Sequence, residues 1–330
     1  MARERRVTAT DVAREAGVSQ PTVSYVLNNV GNQKISAETK ARVYAAVAKL
    51  GYTPSAAART LRLGRSNVVL LLLADVPLGH TAIELIEHLT EDLERHGLTV
   101  ITRIEAGQST NTLWADVAPR AVVLFAPLDA ERRAQMEAVG THVVNVWHPG
   151  LDNGEDDPLA RSQSRVGLLQ VGHLAGRGHQ AIGYGAPTDR RLHDFYELRL
   201  EGVRRACVER GLFPPAVREV PLDVVSAAEH ARRWVAEGVT AVCAFNDEVA
   251  FALLAGMRAA GLSAPDALAV IGVDDIPLAP FAAPPLTTVN QHLATVAAEL
   301  AESVLHGLEH PNQFPRRQSE VARVVIRESA

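Results

Sequence analysis

Cysteine is scarce in this sequence: the two that occur, Cys207 and Cys243, fall in a helical pattern and in a strand pattern. A disulfide framework or a cysteine-rich metal site is therefore not expected. Long hydrophobic runs are absent as well. The longest purely aliphatic stretch, 68–74, is seven residues, against the roughly 20 that a membrane-spanning helix needs. The basic start MARERR runs into a mixture of Thr, Asp, Arg and Glu, not into the apolar core of a signal peptide. No membrane association is expected, and the cytoplasm is the expected location. Catalytic signatures are missing too: there is no Gly-rich phosphate loop, no nucleophile elbow and no His-Glu-x-x-His. The pairs His142/His148 and His173/His179 lack a second ligand cluster, and the adjacent Asp274 and Asp275 point apart. Neither an enzyme nor a metal or other cofactor is expected.

What is present is ordinary globular material with an uneven charge. The 330 residues are 47% hydrophobic and 22% charged, enough for more than one folding unit. Net charge is -5, yet residues 1–65 hold 11 Lys+Arg against 4 acids, a net of +7, which leaves -12 for the rest. A small basic head on a large acidic body points to a polyanion partner for the head alone.

The head has helical punctuation. Hydroxyl residues at 8–10 open a helix that places Val12, Ala13 and Ala16 on one stripe before Gly17 stops it. Ser19 caps a second helix with Pro21 in its first turn, packed through Val23, Val26 and Leu27. Two short helices joined by a tight glycine turn make a helix-turn-helix, whose second helix enters the DNA major groove and turns residues 20, 21, 24 and 25 outward. A third helix is expected over 38–50.

The literal residues are Asp11-Val12-Ala13-x-x-Ala16-Gly17-Val18-Ser19-x-x-Thr22-Val23-Ser24-x-Val26-Leu27-Asn28, then Ile35-Ser36-x-x-Thr39 and Gly51-Tyr52-x-Pro54-Ser55-x-x-Ala58-Arg59-x-Leu61. This run closely resembles the head of the lactose-repressor (LacI) family of bacterial transcription regulators. The resemblance implies that Gln20, Pro21 and Tyr25 read base edges, and that Tyr25, standing where arginine is frequent, shifts the preferred operator. Thr8, Ser19, Thr22, Ser24, Asn28, Ser36 and Thr39 are small donors suited to phosphate oxygens, with helix capping or plain solvent exposure as the alternative for each. Residues 55–62 are too few for a stable isolated helix. In the family this is the hinge helix, carrying Ala58 and a leucine, here Leu61, that wedges into a minor-groove step; a core contact in a linker is the alternative for Leu61.

Beyond residue 66 the sequence alternates short apolar runs with amphipathic stretches. Strands are expected at 68–73, 98–104, 121–125, 142–146, 181–184, 241–245 and 269–273, with a last one near 324–326. Helices are expected at 82–96, 130–139, 166–176, 195–210, 227–237 and 248–260. The fold class is thus an all-α helix-turn-helix head plus an α/β body of two doubly wound parallel-sheet lobes, like a periplasmic binding protein. The expected division is a DNA-binding domain over 1–50, a hinge over 51–65 and an effector-binding and dimerisation domain over 66–330. The last has an N-lobe of about 66–162 plus 292–318 and a C-lobe of about 163–291 plus 319–330.

Open parallel sheets bind ligands at the carboxyl ends of their strands, where Asn246 and Asp274 directly follow strands and Arg199 lies in the helix after the strand 181–184. The motifs Gly178-His179-x-x-Ile182, Arg199-Leu200-Glu201-Gly202, Asn246-Asp247-Glu248-x-Ala250, Gly272-x-Asp274-Asp275 and Pro284-Pro285-Leu286-Thr287-Thr288-Val289 carry the LacI resemblance through the body. It implies that Arg199, Asn246 and Asp274 hold an effector, commonly a sugar or nucleobase. Asp247 and Asp275 read as cap or loop residues. Two departures bear on the ligand. The stretch 74–81 lacks the family's stacking aromatics, and Gln163-Ser164 stand where Asp-Asn is frequent. Asp75, His80 and Trp147, at strand ends, are candidate substitutes, with core or loop roles as the alternative.

The expected function is that of a sequence-specific transcriptional regulator, a repressor by preference, binding a near-palindromic double-stranded operator as a homodimer under small-molecule control. A solute-binding protein or an enzyme without a DNA role is the alternative. The sequence leaves the direction of the ligand's effect, induction or corepression, open.

Overall fold

The computed structural model describes residues 7–27, 35–53, 66–105, 113–125, 128–146, 158–310 and 322–330. Two compact units divide the chain, Met1–Ser66 and Asn67–Ala330.

Among its described residues the first unit contains three helices, α1 (Ala9–Ala16), α2 (Gln20–Leu27) and α3 (Ala37–Leu50). Thr8 closes a capping box on α1: its Oγ1 accepts from the Asp11 backbone N–H while the Asp11 carboxylate accepts from the Thr8 N–H at 2.9 Å. Gly17 ends α1 at φ +65°, a left-handed cap where a side chain would be strained. The chain can therefore turn at once into α2. Val12, Ala13, Ala16, Val23, Val26, Val43 and Ala46 form the buried core of this unit. Most of the expected hinge (54–65) lies outside the described residues, along with Asn28, Ala58 and Leu61.

Among its described residues the second unit contains two sheets. In the first, β1 (Val68–Ala74), β2 (Thr99–Glu105), β3 (Ala121–Phe125) and β4 (His142–Asn145) lie in the order β2-β1-β3-β4, all parallel. The apolar run of β1 is explained by burial on both faces. Val69 and Leu71 meet α4 (His80–Arg95) through Leu89 and Leu93, and Leu70 and Leu72 meet Met136 of α6 (Ala130–Ala138). A short α5 (Leu113–Val117) contributes Trp114 to the latter face.

The second sheet joins β5 (Ile182–Ala186), β6 (Ala216–Glu219), β7 (Ala241–Ala244), β8 (Ala269–Val273), β9 (Thr287–Asn290) and β10 (Arg323–Val325). The order is β10-β9-β8-β7-β5-β6, with β10 antiparallel and the rest parallel. Helices α7 (Pro158–Gly176), α8 (His193–Glu209), α9 (Val224–Ala236) and α10 (Asp247–Ala259) cover it around one large core that includes Trp234 and Tyr184. The chain then returns to the first sheet: α11 (Leu293–Glu309) places Ala297, Leu300, Ala301 and Val304 against Val69 and Leu71. Cys207 and Cys243 are buried free thiols on α8 and β7. Among the described residues no helix is long and apolar enough to cross a membrane.

The expected strands and helices are present with ends shifted by a few residues, and α7 starts well before 166. Strands β6 and β9 were not expected. β6 is a half-buried strand at the end of the sheet, and β9 opens with two threonines that are fully buried. Their hydroxyls are satisfied at long range: Thr287 Oγ1 donates to the Ala330 carbonyl at 3.2 Å, and Thr288 Oγ1 donates to Asp247 Oδ1 at 2.6 Å. Partners that distant in sequence leave no local signature of a buried strand.

Candidate functional site

On the head, the buried side of α2 is fixed by Val23 and Val26, which leaves Gln20 and Pro21 exposed and Ser24 and Tyr25 half-buried on the outer side. Three of the sequence-predicted phosphate donors serve as caps. Thr8 caps α1, Ser19 Oγ accepts from the Thr22 N–H at 3.3 Å, and Ser36 Oγ accepts from the Thr39 N–H at 3.2 Å. Each hydroxyl also lies against a neighbouring polar side chain, Ser19 with Thr22 at 2.8 Å and Ser36 with Thr39 at 2.9 Å. These groups sit at helix N-termini, where unpaired backbone N–H groups and the helix dipole favour a phosphate.

In the body, a cavity of about 400 Å³ opens at the carboxyl ends of strands from both sheets, a size usual for small-molecule sites. Leu73 and Ala74 of β1, Phe125 of β3 and Val146 after β4 line it from one lobe. Phe245 and Asn246 after β7 and Asp274 after β8 line it from the other. At its floor Arg199 is only 6% exposed. Its Nε donates to Gln163 Oε1 at 2.8 Å, one terminal nitrogen donates to the Phe245 carbonyl at 2.6 Å, and the other lies 3.7 Å from Asp274 Oδ1. The guanidinium also stands over the Phe245 ring, 4.6 Å from its centre.

Backbone geometry brings these groups together. Helices α7 and α8 cross at Gly167 and Gly202, where a Cβ on either residue would run into the other helix's backbone. That close crossing sets Gln163 beside Arg199. Asp274 and Asp275 adopt positive φ, +109° and +54°, a strained conformation for residues with side chains. Hydrogen bonds hold them there. The Asp274 N–H donates to the Val289 carbonyl at 2.8 Å, and Gln291 Nε2 donates to Asp274 Oδ1 at 2.7 Å. Asp275 accepts from Asn290 at 3.0 Å and from Arg327 at 2.7 Å. Burial pushes the Asp274 carboxyl above its ordinary range, against the pull of Arg199 and of hydrogen bonds from Gln291 and Thr81.

Arg199, Asn246 and Asp274 therefore share one cavity. Asn246 also caps α10, its Oδ1 accepting from the Val249 N–H at 3.0 Å. Asp75 and His80 do not line the cavity: Asp75 is exposed and lies 3.5 Å from Arg191, while His80 faces Glu84 on the next turn of α4. A strand end fixes where a residue stands but not where its side chain points. Trp147 lies outside the described residues. Asp247 is no mere loop residue: it is 1% exposed and ties α10 to the turn after β8, accepting from the Ile276 N–H at 2.9 Å. Sequence reasoning missed Phe195, Phe125 and Gln291 in the lining. Phe195 carried a signal, since it stands one helical turn before Arg199 on the same face.

A helix-turn-helix head and an α/β body with a ligand-sized cavity between two largely parallel sheets define a class of regulator that reads DNA with one unit and senses a small molecule with the other. Residues 8–55 match the family described as bacterial regulatory proteins, lacI family, and residues 171–330 match the periplasmic binding protein-like domain. The HTH-type transcriptional regulator GalS of Salmonella typhimurium is 30% identical over 335 residues, 91% of this chain and 90% of that one. The HTH-type transcriptional repressor PurR of Photobacterium profundum is 27% identical over 332 residues, 98% of each chain. The crystal structure of the lac repressor dimer bound to operator and the anti-inducer ONPF superposes with a TM-score of 0.78 at 24% identity, covering 98% of this chain and 99% of that one, a likeness of fold. The chain belongs to the lacI family of bacterial regulatory proteins, and it is a DNA-binding transcriptional regulator.

Proposed function

We propose that the protein is a cytoplasmic repressor that binds a near-palindromic operator as a homodimer and is controlled by an effector held by Arg199, Asn246 and Asp274. The observation that carries this reading is the buried Arg199–Asp274 pair, 3.7 Å apart at the floor of a cavity shared by both lobes. A ligand seated there touches groups from both sheets, so it binds one lobe arrangement more tightly than another and shifts the balance between them. The lobe arrangement then sets whether the hinges, 51–65 in each protomer, can pair on DNA. Gln20, Pro21 and Tyr25 read bases, and the capped helix ends at Thr8, Ser19 and Ser36, with Thr22, Ser24, Asn28 and Thr39, hold phosphates. Ala58 and Leu61 belong to the minor-groove contact. The names of the relatives, a PurR repressor and a lac repressor dimer on its operator, support the DNA and dimer assignments.

Binding, not catalysis, is the role we assign to the cleft. The acids that line it among the described residues are engaged by neighbours, Asp274 by Gln291 and Arg199, and Glu248 by Asn246. The test is selection of random duplexes by the purified full-length protein, followed by sequencing. Recovery of a near-palindrome with a flexible pyrimidine-purine step at its centre is expected. Failure to recover any motif, with and without metabolite mixtures added, overturns the operator reading.

A further inference from the structure

Apart from its polar groups, the described lining of the cavity is largely a hydrocarbon surface. Leu85 and Val296 face it from α4 and α11, Phe125 from the end of β3, Leu293 from the start of α11, and Phe195 from α8. Leu78, on the loop before α4, borders the opening and is 38% exposed. These groups offer no hydrogen bonds. A ring or chain of carbon atoms gains by leaving water against them, whereas a hydroxyl placed there gives up its water partners for nothing.

At the polar end the charged groups are already engaged with one another and with their neighbours. Arg199 gives Nε to Gln163, one terminal nitrogen to the Phe245 carbonyl and the other to Asp274, while Asp274 already accepts from Gln291. Asn246 spends its carbonyl oxygen on capping α10. Among the described residues the lining carries one cation, Arg199, against two anions, Asp274 and Glu248. An anionic ligand would meet a net negative charge on this described lining, and Arg199 is already paired. A free sugar, polar around its whole ring, would leave the hydroxyls that face the apolar part of the described lining without partners there.

We propose that the occupant of this cavity is an uncharged amphipathic molecule. One hydroxyl or amide end sits on Arg199, Asn246 and Asp274, and an apolar ring or chain lies against Phe195, Phe125, Leu78, Leu85 and Val296. The inference rests on the reading of this cavity as the ligand site and names the class of ligand it takes.

The test uses the full-length protein without DNA, so it is independent of whether an operator is found. 2-Phenylethanol and 1-hexanol serve as uncharged amphipathic probes, phenylacetate as the anionic counterpart of the first, and D-ribose and D-glucose as free sugars. Calorimetry gives affinities, and saturation-transfer NMR shows which part of each probe touches protein. At least one of the two alcohols is expected to bind saturably and at least ten-fold more tightly than phenylacetate or either sugar, with strongest transfer to its ring or chain protons. Phe195→Ser and Leu78→Asn are each expected to weaken that binding at least five-fold. Leu78 is a partly exposed loop residue, so that variant keeps the fold if Phe195→Ser does not. A sugar binding as tightly as the alcohols overturns the proposal, as does failure of both alcohols to bind. Unchanged affinity in Leu78→Asn and in folded Phe195→Ser also overturns it. Binding that is lost in the variants upholds the ligand class even where the same alcohol leaves operator affinity unmoved; that second result would count against the effector reading alone.

Discussion

Gln163 on α7 accepts a hydrogen bond from Arg199 Nε on α8 at 2.8 Å. The amide does the accepting that a carboxylate would do, and it does so without adding a charge to the cavity. Gln163→Leu removes the acceptor and leaves a buried guanidinium N–H without its partner. The expected cost is about 1–3 kcal/mol of body stability, with Gln163→Glu restoring most of it at neutral pH by supplying an ionised acceptor. Urea unfolding followed by tryptophan fluorescence reads this cleanly, because Trp114, Trp147 and Trp234 all lie after residue 66. Equal midpoints for the wild type and Gln163→Leu would remove the bond from the site's support.

The crossing of α7 and α8 leaves no room for a methyl group. A Cβ at Gly202 would run into the Ser164 backbone, and one at Gly167 would run into the backbone at Arg199 and Val203. Gly202→Ala has to part the two helices, at an expected cost of about 1–3 kcal/mol from overpacking, and it moves Arg199 away from Gln163. Gly176→Ala, at the end of α7 with nothing near its Cβ, is the matched control and is expected to be close to neutral. Comparable losses in both variants would contradict the packing argument.

How far the sequence disclosed this structure depends on the range of the forces involved. The head was legible because its signals are local: Thr8, Ser19 and Ser36 before helices, Gly17 and Gly51 after them, and one apolar stripe per helix. The strand 68–74 was legible because burial on both faces demands an unbroken aliphatic run. Strand β9 was not, since the burial of Thr287 and Thr288 depends on Ala330 and Asp247, each about forty positions away. In the cleft, Asn246 and Asp274 were placed by strand ends and Arg199 by its motif in the helix after β5, and all three line the cavity, whereas Asp75 and His80 had the position without the direction. The apolar body of the cavity was overlooked because its aromatics come from Phe125 and Phe195, not from the stretch 74–81.

Asp247 gives the body a pH dependence with a definite sign. Burial, reinforced by the nearby Asp274 and Asp275 charges, pushes its carboxyl up to about 7, against hydrogen bonds from Thr288 and Ile276. In the unfolded chain it titrates near 4, so between about pH 4 and pH 7 the native state holds a proton that the unfolded state has released. This group therefore costs stability as pH rises through that window. Burial lowers the titration of His142, His173, His179 and His230. Those four act in the opposite sense, adding stability as pH rises toward 6.5, the value for unfolded histidine. The difference between wild type and Asp247→Asn isolates the carboxyl: the wild type is expected to lose ground to the variant steadily from pH 4.5 to pH 7 and to hold level above that. Unfolding midpoints that run parallel across the window would show that Asp247 is ionised in the native state.

The charge division of the chain makes a final prediction about DNA. The head carries a net of +7 over residues 1–65, and the remaining residues carry -12. Cations on the head displace counterions from the duplex, and the body adds repulsion of its own when brought near phosphates. With at least six phosphates contacted by a dimer, affinity for DNA of any sequence is expected to fall by roughly 1,000-fold between 50 and 200 mM salt. Sequence preference separates from this term. Tyr25→Ala, on the outer side of α2, is expected to leave the salt slope unchanged and to relax discrimination at one operator position by about 1–3 kcal/mol. Lys40→Gln and Arg42→Gln together are expected to lower the slope and weaken all sequences alike. Fluorescence anisotropy titrations at four salt concentrations, with a selected operator and a scrambled duplex, measure both quantities. If Tyr25→Ala flattened the salt slope while leaving the operator-to-scrambled ratio intact, the base-reading assignment of α2 would pass to other residues.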